Sequence, residues 1–283
     1  MTAEYETFRV HRDAGIAWVT IDHPPVNLLD LAMLRDLTLL VGELEAEDTT
    51  APEATRVMVL RSADPDFFIA HADLGLIKAL PRDPRPDPTE LDFFPALVER
   101  WRTLPQVTIA QIEGRARGGG SELVLSLDMR FAALGRARFA QPEVAIGIIP
   151  GGGGTQRLGR LIGRGRALEA VLGCDDFDAA TAERYGWVNR ALPPDEIGPF
   201  VDRLARRIAS FPPLAVRCAK EAVDAAMPPP LDGLLAEARA WNEVLTDPAL
   251  DARFDAALAA GAQTRDGELD LDLAGMLNDR TDP

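Results

Sequence analysis

The chain has 283 residues, 47% of them hydrophobic and 27% charged, enough to bury a large core in one domain or a domain with an appendage. Its formal net charge of -15 disfavours nucleic acid or an anionic membrane as a partner, although a local cluster of Arg or Lys can still hold an anionic small molecule. Cys174 and Cys218 lack metal-type spacing, the first residues are acidic, and no apolar run reaches the ~20 residues of a bilayer crossing, so a cytoplasmic protein with free thiols is expected.

Taken in order, Phe8 to His11 and Ile16 to Ile21 flank the turn signal Asp13-Ala14-Gly15 and predict a hairpin. Asp30 can cap a helix whose Leu34, Leu37, Val41 and Leu44 keep helical spacing. Val57 to Leu60 reads as a buried strand, Phe67 to Asp73 as an irregular loop, and Pro81 to Pro88 as a surface loop because proline fits neither a helix interior nor a central strand. A helix near Phe93 to Thr103, a strand at Val107 to Ile112, a helix from the triple glycine to about Leu127 and a strand at Arg130 to Ala133 follow. This alternation predicts an α/β core over residues 1–195. Residues 196–262 read as helical throughout, in segments separated by prolines, and the acidic stretch 263–283 as a loose tail.

Several chemistries lack their residues. The three histidines, His11, His23 and His71, have no ligand spacing, and no metal is expected. A G-x-S-x-G elbow, a P-loop and a clean G-x-G-x-x-G are all missing.

Two glycine-rich segments stand out, each with a nearby glutamate. The first is Arg117-Gly118-Gly119-Gly120-Ser121-Glu122; the second runs from Gln141-Pro142-Glu143 to Gly151-Gly152-Gly153-Gly154. A helix beginning at the first triplet would direct unpaired N–H groups and the positive end of its dipole at an oxyanion. Glu122 would overlook the same spot from one turn on. Taken singly, each feature has a blander reading: a tight turn for the glycines, a dipole-favourable surface position for Glu122, a loop carboxylate for Glu143.

In combination and in order, these residues resemble the enoyl-CoA hydratase/isomerase (crotonase) family. The resemblance runs over roughly residues 8–260 and is carried also by Pro25-Val26-Asn27-Leu28, by Phe68 through Leu74, by Thr155-Gln156-Arg157-Leu158 and by Ala219-Lys220-Glu221. It implies a spiral of ββα turns making two near-perpendicular sheets, and a C-terminal helical region that assembles trimers or hexamers. The implied substrate is an acyl-CoA thioester, with coenzyme A entering as part of it and no separate cofactor. By position, the backbone N–H groups of Ala72 and Gly119 would form the oxyanion hole, Glu122 and Glu143 would be catalytic, and Ala70, His71, Asp73, Leu74, Gly75 and Gly118 would border the substrate. Keeping both glutamates favours hydration of a trans-2-enoyl-CoA. The alternatives are a Δ3,Δ2-enoyl-CoA isomerase, or a catalytically weak acyl-CoA-binding member.

His71 departs from the family pattern, which usually has glycine there. An extended backbone with His71 in solvent, or a His71 that reshapes the acyl pocket, are the two expectations. Arg61, Lys78, Arg115 and Arg117 are candidates for the coenzyme A phosphates, with ordinary surface charge as the alternative for each.

Overall fold

In a computed structural model, which describes residues 4–49, 51, 53–227 and 231–270, the chain begins with the expected hairpin, β1 (Phe8–Asp13) and β2 (Ile16–Ile21). Helix α1 (Leu31–Ala46) is capped by Asp30, whose carboxylate accepts the Met33 N–H; Leu34, Leu37, Val41 and Leu44 are all buried. Three successive strand–strand–helix turns follow. The first is β3 (Val57–Ser62), β4 (Phe67–Ile69) and the helices α2 (Leu74–Lys78) and α3 (Phe93–Arg102). The second is β5 (Val107–Ile112), β6 (Arg115–Arg117) and α4 (Gly119–Ser126). The third is β7 (Met129–Ala133), β8 (Arg138–Ala140), a 3-10 turn at Glu143–Ile146 and α5 (Gly154–Ile162).

The first strand of each turn joins one sheet and the second strand joins another. A six-stranded sheet has the order β1-β2-β3-β5-β7-β10, and a four-stranded sheet the order β4-β6-β8-β9. The remaining elements are α6 (Arg164–Gly173), β9 (Phe177–Asp178), α7 (Ala179–Tyr185), β10 (Arg190–Leu192), α8 (Pro194–Ala209), α9 (Pro213–Ala225), α10 (Leu231–Val244), α11 (Leu250–Ala259) and α12 (Arg265–Asp270). Phe67 to Ile69, expected to be irregular, is a strand paired in parallel with β6. Its three residues are too few for a period-2 signal to register in sequence.

The spiral positions the functional segments. Strands β4, β6 and β8 run parallel, with Ile69 opposite Ala116 and Arg117 opposite Ala140. Their C-terminal ends therefore lie side by side, and the segments after them, 70–75, 118–122 and 141–143, emerge at one edge. Stacking is close: a Cβ on Gly114, between β5 and β6, would lie 2.3 Å from the backbone carbon of Asp66 in the preceding turn. Only glycine fits there.

Apolar faces close both sides of the large sheet. Trp18, Val59, Ile109 and Phe131 pack against Ile197, Val201, Ala205 and Ala209, which recur every four residues along α8. Beyond the C-terminal ends of β4 and β8, Leu74, Ile146 and Ile148 cluster with Leu245, Leu250 and Phe254 from the C-terminal region. The segment expected to be loose differs from that reading where it is described: residues 263–270 turn back into α12, and Glu268 is fully buried. Sequence alone showed acidic, weakly patterned residues; their order comes from buried partners distant in the chain. The rest of that stretch, 271–283, lies outside the described residues.

Candidate active site

The loop after β4 is held by backbone bonds to the segment before α1. Leu29 N–H donates to His71 O at 2.9 Å, and Asp73 N–H donates to Leu29 O at 3.1 Å. Asn27 braces the other end: its amide donates to Phe67 O at 2.9 Å and Ser62 Oγ at 2.8 Å, and it tolerates the φ of 52° found there. In this bridge, the atoms flanking Ala72 make the contacts, so the Ala72 N–H faces away and has no acceptor among the described residues.

Gly118 begins α4 with φ 49°, a conformation that L side chains rarely adopt, and a Cβ there would sit 3.0 Å from Glu143 Oε1. Gly119 is the first residue of that helix, so its N–H is one of the orphan first-turn donors. A Cβ on Gly119 would lie 3.6 Å from Ala72 Cβ, so the two residues stand side by side at the cavity wall. The helix expected at the triple glycine is present, ending at Ser126.

Glu122, on the first turn of α4, is buried. Its Oε1 accepts the N–H groups of Gly152 and Gly154 at 2.7 and 2.8 Å. Glu143 opens the 3-10 turn, also buried. In the orientation that satisfies both ends of its amide, Gln141 donates to Glu143 Oε1 and Oε2 at 3.1 and 3.2 Å and accepts from Ser121 Oγ at 3.2 Å.

A third carboxylate, not singled out in sequence, stands behind them. Glu237 of α10 accepts from Gly153 N–H at 2.6 Å, Thr155 N–H at 3.0 Å and the Thr155 hydroxyl. Arg157, also buried, donates to Gly152 O at 2.6 Å and to Glu99 at 2.9 Å.

Burial pushes Glu122 up to about 8, with the negative charge of Glu237 adding to it and the two glycine N–H groups opposing it. Burial, and then the charge of Glu122, raise Glu143 well above the ordinary carboxyl range. Two buried carboxyls this close cannot both ionise near neutrality and titrate as a pair. Glu122 alone takes two backbone N–H bonds on one oxygen, which favours its ionised form. Those bonds make Glu122 the member of the pair that gives up its proton first, while Glu143 keeps its own.

Both carboxyls open into a cavity of about 370 Å³, together with His71, Ala72, Leu74, Gly118 and Gly119. The remaining wall is largely apolar, from Leu29, Leu34, Ile77, Phe94, Ile148 and Trp241 among others. Phe94 is fitted against the second glycine segment: a Cβ on Gly152 would come within 2.3 Å of its ring. Three expected substrate neighbours are placed elsewhere. Ala70 is buried with Val26 and Phe67, Asp73 caps α2 through the Gly75 N–H at 2.8 Å, and neither they nor Gly75 line the cavity.

His71 matches neither expectation fully. It is buried, without positive φ, and its ring is engaged by Ala72 O and Glu268 while its side chain still borders the cavity. Of the four basic candidates, Arg117 is buried in ion pairs with Asp176 and Glu268, and Arg115 donates to Leu269 O at 2.9 Å. Arg61 bonds Thr20 Oγ1 at 3.0 Å, and Lys78 pairs with Asp255 at 2.5 Å on the surface. Glu237 and Glu268 escaped sequence reading because a lone carboxylate in an amphipathic helix, or in an acidic stretch that reads as a loose tail, looks solvated.

A profile described as enoyl-CoA hydratase/isomerase matches residues 11–247. The chain is 33% identical over 240 residues to a short-chain-enoyl-CoA hydratase of Clostridium acetobutylicum, covering 83% of this chain and 87% of that protein. It is 34% identical over 233 residues to a crotonyl-CoA hydratase of Syntrophomonas wolfei, covering 81% and 85%. A crystal structure from Streptomyces avermitilis, provisionally assigned as an enoyl-CoA hydratase, superposes with a TM-score of 0.87 at 43% identity over 98% of each chain. An enoyl-CoA hydratase of Bacillus anthracis superposes with a TM-score of 0.70 at 32% identity, over 84% of this chain and 90% of that one. The ββα spiral, its two sheets and these matches lead to one assignment: the chain belongs to the enoyl-CoA hydratase/isomerase family.

Proposed function

We propose that the protein is a hydro-lyase that adds water reversibly across the Cα=Cβ bond of a trans-2-enoyl-CoA. The observation that carries this is the convergence of two buried carboxyls, Glu122 and Glu143, and two unpartnered N–H groups, Ala72 and Gly119, on one largely apolar cavity. The thioester oxygen would accept both N–H groups. Attack at Cβ moves the π electrons toward that oxygen, and donors fixed in advance in a dry site stabilise the enolate by several kcal/mol.

The proton arrangement fits the direction of the reaction. Ionised Glu122, held by Gly152 and Gly154 through Oε1, keeps Oε2 for a water and takes its proton as oxygen bonds to Cβ. Protonated Glu143 delivers a proton to Cα. One proton is taken and one given, so the pair ends with its charge unchanged and its protonation exchanged. General acid/base work of this kind contributes about 10² to 10⁴-fold.

The test is the ultraviolet absorbance of crotonyl-CoA after addition of the purified protein. Loss of the conjugated-thioester band with water incorporated at Cβ supports the reading. A flat trace with crotonyl-CoA and with longer enoyl thioesters overturns it; turnover of a 3-enoyl-CoA that survives Glu122→Gln would transfer the assignment to an isomerase.

We further infer a homotrimer or homohexamer. None of the residues of α9 is buried in the single chain; Leu214 and Val223 are exposed along it, and Phe211 and Met227 are exposed just before and after it. An apolar groove of about 610 Å³ runs beneath. Lys220 ties the helix to the core through Asp128 at 2.8 Å and Gln106 O at 3.0 Å, so a second copy would meet a fixed surface. Light scattering on the eluting protein decides it.

A further inference from the structure

We propose that Glu268 is a positioning residue of the oxyanion loop, gripping the His71 ring and, through it, the Ala72 peptide. His71 Nδ1 lies 2.7 Å from Ala72 O, and Nε2 lies 2.8 Å from Glu268 Oε1. A carbonyl oxygen only accepts, so Nδ1 carries a proton. The Glu268 carboxylate also accepts the Gln263 N–H at 2.9 Å and Arg117 Nη1 at 3.2 Å, and an acid receiving these two donors, one of them a cation, is held ionised. Nε2 therefore carries a proton too, and the ring is an imidazolium bonded at both ends.

The surrounding charges agree with this. Facing the ring are Glu268 from α12 and Arg117 from β6, with Asp176 behind the arginine at 2.6 Å. Glu143 approaches from the other side of Gly118. Burial by itself would lower the His71 pKa, but the bond to Glu268, its charge and the Ala72 carbonyl outweigh burial and raise it. Burial would likewise raise Glu268, and the bond and charge of His71, with help from Gln263 and Arg117, bring it below the ordinary carboxyl value instead.

The grip continues along residues 263–270. Gln263 donates to Asp73 Oδ1 at 3.0 Å and accepts the Leu74 N–H at 3.2 Å, so the loop is held just beyond Ala72 as well. Arg265 reaches Pro25 O at 3.2 Å and pairs with Asp64 and Asp66. Ala72 O is thus drawn toward His71 while the adjoining atoms are bonded to Leu29, which fixes the direction of the Ala72 N–H. Where glycine is usual, this chain has a charged ring and a C-terminal helix that holds it.

The kinetic readout rests on the hydratase reading; two others do not. Glu268→Gln keeps the shape but removes the charge that holds the imidazolium. In ¹⁵N spectra, the His71 ring of the wild type is expected to be doubly protonated at neutral pH, and in Glu268→Gln it should lose a proton at a pH at least about one unit lower. Hydrogen exchange of residues 70–75 should speed up about tenfold or more in Glu268→Gln relative to wild type. In turnover, kcat should fall about 10- to 100-fold with KM nearly unchanged, the loss expected when a donor is mis-aimed. In a His71→Gly background, Glu268→Gln should change kcat by less than about twofold. A neutral wild-type ring, unchanged exchange in the loop, or an equal kcat loss in both backgrounds would overturn the proposal. If no enoyl-CoA is hydrated by the wild type, the hydratase reading fails, while the spectra and exchange still decide the role of Glu268.

Discussion

Glu122 Oε1 accepts the Gly152 N–H at 2.7 Å, so the two glycine-rich segments, 30 residues apart in sequence, meet through one carboxylate. Gly154 adds a second N–H at 2.8 Å to the same oxygen. The second glycine segment therefore has a local physical role: it orients Glu122 and favours the ionised form that burial and Glu237 oppose.

Glu122→Gln is expected to separate folding from chemistry. The amide oxygen can still accept Gly152 and Gly154, so a thermal melt should show a transition no lower than that of the wild type. Hydration of crotonyl-CoA should fall about 10² to 10⁴-fold, because glutamine cannot take a proton from water.

The raised pKa of Glu122 also predicts how stability depends on pH. In the unfolded chain the group ionises near 4.5 and in the folded chain near 8. Between these values the folded state holds a proton that the unfolded state has released. The contribution of Glu122 is thus fully present below pH ~4.5 and is lost as pH rises to ~8, at no more than about 1.4 kcal/mol per pH unit. Glu143 shares this sign, so the useful quantity is the wild type minus Glu122→Gln difference. Urea unfolding at mildly acidic and mildly alkaline pH should show the wild type losing ground to the variant as pH rises.

Glu237→Gln is expected to act on Glu122 at a distance. Removing the Glu237 charge takes away one cause of the raised Glu122 pKa, so the acidic limb of kcat/KM should move to lower pH by about one unit. Glutamine offers one acceptor oxygen where the carboxylate uses two, for Gly153 and for Thr155. At least one of the three donors is left unpaired, and denaturant titration should show a loss of about 1–3 kcal/mol.

Gly120→Ala and Gly165→Ala should have opposite signs. Both sites are helical, where alanine is intrinsically favoured by about 1 kcal/mol in a helix interior. A Cβ on Gly120 would lie 2.7 Å from Ile69 Cβ and from Ile69 O, in contact with a strand that cannot give way, and overpacking should destabilise by about 1–3 kcal/mol. Gly165 has nothing within 4 Å, so propensity wins, with a gain of about 0.5 kcal/mol near the helix start. Thermal melts of the two variants check both signs.

Local chemistry made part of this protein legible without coordinates. The Asp30 cap, the helical apolar spacing of Leu34, Leu37, Val41 and Leu44 in α1 and the turn at Asp13-Ala14-Gly15 are written in neighbouring residues, and the structure has each of them. The family resemblance, carried by short ordered motifs, likewise placed Glu122, Glu143, Ala72 and Gly119 in advance, and the fold brings all four to one cavity. Other features needed the tertiary structure, because their partners lie far away in the chain. Three-residue strands such as β4 exist only by pairing with the next turn of the spiral. Glu237 meets Gly153 across 84 residues and Glu268 meets His71 across 197. A lone carboxylate in an amphipathic helix or an acidic stretch looks solvated until the fold buries it, and burial turns an ordinary glutamate into one that must find a donor, shift its pKa, or do both.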